Sequence, residues 1–159
     1  MKIINLTSYT CADINNMAEK ARDMVREGQR KVTDHMTKYQ AMTGTWLKAS
    51  AKQEKVNIAT ALKCLRYEQE LASDLAVIAS VWNTTRFIVV EYSVMDNEFG
   101  DIYDYVAYFH GEGERAKFER ENASVGNRLT VLTTYECGID QLPDDEREDV
   151  IRDLFSEWV

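Results

Sequence analysis

The chain has 159 residues, 45% hydrophobic and 29% charged. That balance fits one folded domain, excludes wholesale disorder and removes any need for a metal or disulfide staple. Net charge is −8 at pH 7 but polarised: residues 1–82 carry 12 basic and 9 acidic side chains, and residues 83–159 carry 7 and 18. The first part is thus +3 and the second −11, and Lys20–Arg66 alone holds 11 basic against 4 acidic residues.

The chain order begins with a short strand expected over Lys2–Leu6. Thr10-Cys11-Ala12-Asp13 then has the form of a capping box, a hydroxyl with an acid three residues on. Behind it Ile14, Ala21, Gly28, His35 and Met42 recur every seven residues, as do Ala18, Val25, Val32, Tyr39 and Trp46. The two series form one stripe on a helix predicted from about 11 to 43. Gly28 inside it predicts either a break or a close helix–helix contact. Thr43-Gly44-Thr45 is the expected turn, with Thr45 or Ser50 capping the next helix. A second stripe, Ile58, Leu62, Leu65, Ala72, Leu75, Ala79 and Trp82, predicts a helix ending near Trp82 and so an antiparallel helical hairpin over 7–82. Many stripe positions are Ala, Gly or Met, which allow close approach but bury little area each. The hairpin is therefore expected to gain from packing on a sheet or on a second subunit.

Arg86–Met95 is β-branched and aromatic and predicts a strand, with Ile88, Val90, Tyr92 and Val94 on one face. Asp96–Asp101 is turn chemistry, and Ile102–Phe109 predicts the returning strand of a hairpin. Glu112–Asn122 fits a short polar helix, Arg128–Tyr135 a further strand. Pro143 opens a last helix, with Asp144, Asp145 and Glu146 at the positive end of its dipole. Its expected apolar face is Val150, Ile151, Leu154, Phe155 and Trp158. The fold class expected is α+β: a long N-terminal antiparallel helical hairpin, a small, mainly antiparallel sheet of three or four strands and a C-terminal amphipathic helix. The chain is read as a single domain, 1–159, with an acidic α/β part at 83–159.

Cys11, Cys64 and Cys137 are odd in number and widely spaced, so no disulfide framework is implied. No signal peptide or membrane span is read, and a cytoplasmic location is expected. His110-Gly111-Glu112-Gly113-Glu114 places a histidine beside carboxylates, yet its spacing fits no metal-ligand signature, and Gly111-x-Gly113 lacks the rest of a phosphate loop. Cys137, ahead of Gly138, has the position of an exposed thiol but no histidine near it in sequence. Tyr92, Tyr103, Tyr105, Tyr108 and Phe109 concentrate aromatics in two strands that also carry Glu91, Asp101 and Asp104. Such a set suits a core or protein interface better than base stacking. No catalytic residue, metal ligand or cofactor is assigned.

Three function classes remain. The first is a non-enzymatic inhibitor or regulator that docks on a cellular protein through acidic Asp144, Asp145, Glu148 and Asp149. Small acidic chains without a catalytic signature are of the type that phages and mobile elements use to block a host factor. The second is nucleic-acid binding through the basic hairpin, where Arg22, Arg26 and Arg30, and then Lys48, Lys52 and Lys55, line helix faces. The third is a small-molecule or nucleotide pocket between sheet and helices or at a subunit interface, with the His110–Glu114 turn and Arg115, Arg120 and Arg128 as lining. The charge polarity also predicts a homodimer in which the basic hairpin meets the acidic half across a two-fold axis.

Overall fold

The computed structural model describes residues 6–43, 48–95, 100–123 and 128–158. Four α-helices, α1 (Cys11–Met42), α2 (Lys48–Thr84), α3 (Glu112–Ala123) and α4 (Asp144–Leu154), combine with three strands, β1 (Phe87–Met95), β2 (Ile102–Phe109) and β3 (Arg128–Cys137). Short 3-10 turns occupy Leu6–Ser8 and Ile139–Gln141. The architecture is α+β: α1 and α2 joined as a hairpin, a three-stranded antiparallel sheet and a C-terminal helix. By its internal contacts the chain divides into two units, Met1–Val81 with Glu157–Val159, and Trp82–Ser156.

In the first unit the α1 capping box forms as its sequence dictates. The Asp13 backbone N–H donates to Thr10 Oγ1 at 3.3 Å, and the Thr10 N–H donates to Asp13 Oδ2 at 3.0 Å. The Thr10 backbone N–H, and then its hydroxyl, hold the Asp13 carboxyl below the usual carboxylate range. From there 32 residues run unbroken for about 48 Å at 1.5 Å per residue. Ile14, Ala18, Ala21, Gly28 and Val32 are buried along the predicted stripe. Gly28 does not break the helix; it permits a close approach. A Cβ built there would overlap Glu68 Oε2 and lie 3.2 Å from Leu65 Cδ1, both on α2. Farther along, His35 Nδ1 and Glu54 Oε2 are 2.8 Å apart, a second tie between the helices.

α2 starts at Lys48, which places Ser50 inside the helix rather than at its cap, while Thr45 lies outside the described residues. Its inward stripe also departs from the expected one. Leu62 is exposed and Ile78, outside the expected series, is fully buried, while Leu75, Ala79 and Trp82 are buried as expected. The strand expected over Lys2–Leu6 lies outside the described residues except for Leu6, which is buried in a 3-10 turn.

In the second unit the sheet order is β2-β1-β3, antiparallel throughout. β1 and β2 pair without interruption from Ile88↔Phe109 to Met95↔Ile102. β1 and β3 pair across an irregularity between Glu91 and Tyr92, where Leu132 is the extra residue. Gly100 has φ 73°, the left-handed conformation that glycine adopts without steric cost, just ahead of β2. On one sheet face Phe118 of α3 packs against Tyr92 and Phe109, with ring centroids 5.1 Å apart in both cases. Phe87, Val89 and Cys137 lie on the other face and are buried, as are Ile139, Leu142, Ile151 and Phe155. Trp82 stacks on Phe155 at 5.4 Å, and its indole N–H donates to Asp140 Oδ1 at 2.9 Å. Burying the ring while giving its N–H an acceptor avoids the cost of an unpaired buried donor. Pro143 sits at the N-cap of α4, one residue earlier than the position predicted for it.

Candidate partner-binding surfaces

The hairpin stripe of α2 uses positions 51, 54, 58, 61 and 65, all at least half-buried or shielded. At 100° per residue, Lys52, Val56, Ala59, Thr60 and Lys63 lie on the opposite side of the helix, with Lys55 at its flank. These six residues line an open groove of about 550 Å³. Its lining is mainly apolar, Val56 and Ala59 with the aliphatic stems of the lysines, side chains that characteristically keep their ammonium groups in water. One helical turn on, Tyr67 continues the same face; Val56 and Tyr67 are each 54% exposed. Among the described residues Lys52, Lys55 and Lys63 have no ion-pair partner. α2 therefore carries apolar residues on two sides, one turned to α1 and one to solvent. The Lys48 side chain lies outside the described residues.

The α1 arginines stand in different surroundings. Arg26 pairs with Asp23 at 2.9 Å, and Arg22 and Arg26 share a hollow with Glu19 and Asp23. A second hollow of about 290 Å³ joins Arg22, Val25 and Arg26 to Gln69 and Ala72 of α2. Next along, Lys31 pairs with Glu27 at 2.8 Å, which holds the Glu27 carboxyl down and raises the Lys31 ammonium. Arg22, Arg26 and Arg30 do line one face as predicted, but carboxylates interrupt it.

The α4 carboxylates have local work. Arg152 binds Glu148 at 2.8 Å and Asp149 at 3.0 Å, while Asp144 and Asp145 occupy the first turn, where negative charge complements the dipole. Around the third predicted site, His110 sets its ring edge against Phe87, and its backbone N–H donates to Glu114 Oε2 at 2.9 Å. Arg115 is held by Glu119 at 2.9 Å and Glu112 at 3.4 Å, and Glu119 raises its guanidinium pKa. The Arg120 Nε–H donates to the carbonyl of Ala116 at 3.0 Å. Arg128 pairs with Met95 through the backbone, and its side chain lies outside the described residues. Among the described residues an added Cβ at Gly111 or Gly113 would meet nothing within 4 Å, so neither glycine serves a close backbone approach there.

Cys137 is not the exposed thiol that its sequence position suggests. It is 4% exposed, and burial pushes its thiol pKa up, away from the nucleophilic thiolate. Among the described residues no group of three His, Cys, Asp or Glu side chains is placed to hold a metal ion, and no helix is long and apolar enough to cross a membrane. Compared with known proteins, the chain matches no family, no curated protein and no solved structure. The α2 groove was legible in principle, since 52, 55, 56, 59 and 63 share a helical face; the basic residues there drew attention to charge and hid the apolar floor.

Proposed function

We propose that this chain is a non-enzymatic protein-binding protein, an inhibitor or regulator that docks on another protein through the outward face of α2. The observation that carries the reading is the lysine-rimmed apolar groove at Lys52–Lys63. An apolar floor with a charged rim has the make-up of a protein interface, with its dry centre and polar edge. Phosphate, by contrast, gains nothing from Val56 and Ala59, and the neighbouring α1 arginines are interleaved with carboxylates, which repel a nucleic-acid backbone. The acidic residues of α4 support the reading less, because Arg152 and the helix dipole already engage them. The partner that fits is an amphipathic segment with apolar side chains for the floor and carboxylates for Lys52, Lys55 and Lys63.

The test is affinity capture from host lysate under nuclease, using the wild-type chain beside a Lys52→Glu, Lys55→Glu, Lys63→Glu variant. A stoichiometric protein held by wild type and lost by the variant is the expected result. Nucleic acid held without nuclease and nothing held with it would replace this reading with phosphate binding along the hairpin.

A further inference from the structure

The second unit has an open surface of a different kind. Among the described residues β2 pairs with β1 on one side only, and the backbone N–H and C=O groups of its outer edge have no strand partner. Along that edge Ile102, Tyr103, Tyr105 and Val106 are all exposed, Ile102 most at 63%. Exposure falls on both faces, since Ile102 and Val106 point to one and Tyr103 and Tyr105 to the other.

The opposite edge is interrupted. β3 bulges at Leu132, and its Thr130, Thr133, Thr134 and Glu136 are interspersed with Val131, Leu132 and Tyr135, which are themselves exposed. Bulges and polar side chains blunt an edge against further pairing. β2 has neither device: its register with β1 is unbroken, and within the strand its one charged residue is Asp104, whose Oδ1 accepts from the Ser93 hydroxyl at 2.6 Å.

We propose that the β2 edge is an interface with a second copy of this chain, the two β2 strands pairing antiparallel so that the sheets join into one of six strands. The sequence of β2 is complementary to itself in that arrangement. A two-fold axis normal to the sheet keeps each face continuous and pairs residues of equal parity. Centred on Tyr105, it sets that ring beside the second copy's Tyr105, and Tyr103 opposite the second copy's Ala107, a large residue facing a small one. On the other face Ile102 meets the second copy's Tyr108, and Asp104 meets the second copy's Val106, so the two Asp104 carboxylates are not placed opposite each other. Seven paired residues, 102–108, span about 24 Å, and every contact off the axis is made twice. This interface uses no residue of the α2 groove and does not depend on that groove having a partner.

Sedimentation of the full chain across a range of concentrations, at low and high salt, tests the proposal. Wild type is expected to reach twice the chain mass and to keep it in high salt. Ile102→Lys with Val106→Lys should halve that mass, while Leu132→Lys on β3 should leave it unchanged. Hydrogen exchange on wild type needs no variant: amides of Ile102–Phe109 should slow as concentration rises, and those of β3 should not. A chain that stays monomeric throughout overturns the proposal. So does a dimer whose mass survives both β2 substitutions, or one that salt dissociates, which would mark pairing of the basic hairpin with the acidic half.

Discussion

α1 and α2 are the two halves of one hairpin, yet they dispose of their apolar residues differently. α1 buries one stripe, at positions 14, 18, 21, 28 and 32, and exposes two large apolar side chains, Met24 and Met36. α2 divides them between an inward stripe and an outward face that exposes Val56 and Tyr67. The sheet's two edges differ in regularity, β3 interrupted by a bulge and β2 unbroken, while both expose apolar side chains. A helix that is apolar on two sides needs a second neighbour, and the same logic of unfinished burial applies to an apolar edge strand.

The largest effect should separate the two sides of α2. Leu75, 2% exposed, faces inward, and Leu75→Ala should cost about 2–5 kcal/mol through lost burial and the cavity left behind. Val56→Ala on the outward face should change stability by less than about 0.5 kcal/mol in the isolated chain. Urea denaturation of both variants measures the difference. A comparable loss at Val56 would mean that the outward face is already covered, and the asymmetry between the helices would fail.

Much of this contrast was legible before the fold was known, and the parts that were not have physical causes. The α1 stripe could be read because its two heptad series fall on one face and outweigh the exposed Met24 and Met36. In α2 two apolar series overlap, so Leu62 was placed inward although it is exposed, and Ile78 was overlooked although it is fully buried. The strands could be read from β-branched and aromatic runs, and the face assignments followed from alternation. Strand order could not: nothing local to β2 or β3 says that both flank β1. The burial of Cys137 escaped for a related reason, since the residues around it, Phe87 among them, come from distant parts of the chain. At the candidate sites the sequence located the charges, whereas the Arg152 and Arg115 pairings that engage many of them depend on helix register.

A smaller effect probes how α1 begins. Thr10→Ala removes the capping hydroxyl and should cost about 1 kcal/mol at neutral pH. The reciprocal Asp13 contact adds a pH dependence whose sign follows from its depressed pKa. A depressed carboxyl favours folding fully above its unfolded pKa of about 4 and loses that contribution as pH falls through the lowered folded value. The gap between wild type and Thr10→Ala should therefore narrow in acid, which thermal melts from neutral to acidic pH would follow. A gap that stays constant would show that the hydroxyl acts on the backbone alone.

The smallest effect lies at the seam where the two helices touch. Gly28→Ala gains up to about 1 kcal/mol of helix propensity, but its Cβ would overlap Glu68 Oε2. That oxygen is the end of a flexible side chain, and it is buried without a hydrogen-bond partner. Displacing it towards water relieves an unsatisfied group, so the propensity gain should survive in part and the variant should be slightly more stable than wild type. Gly28→Leu brings a branched chain against Leu65 as well and should be destabilising. A loss of more than about 1 kcal/mol in Gly28→Ala would mean that Glu68 is held in place, by its attraction to Lys31 or by the packing of Leu65. The inward seam of α2 would then be as rigid as its outward face is open.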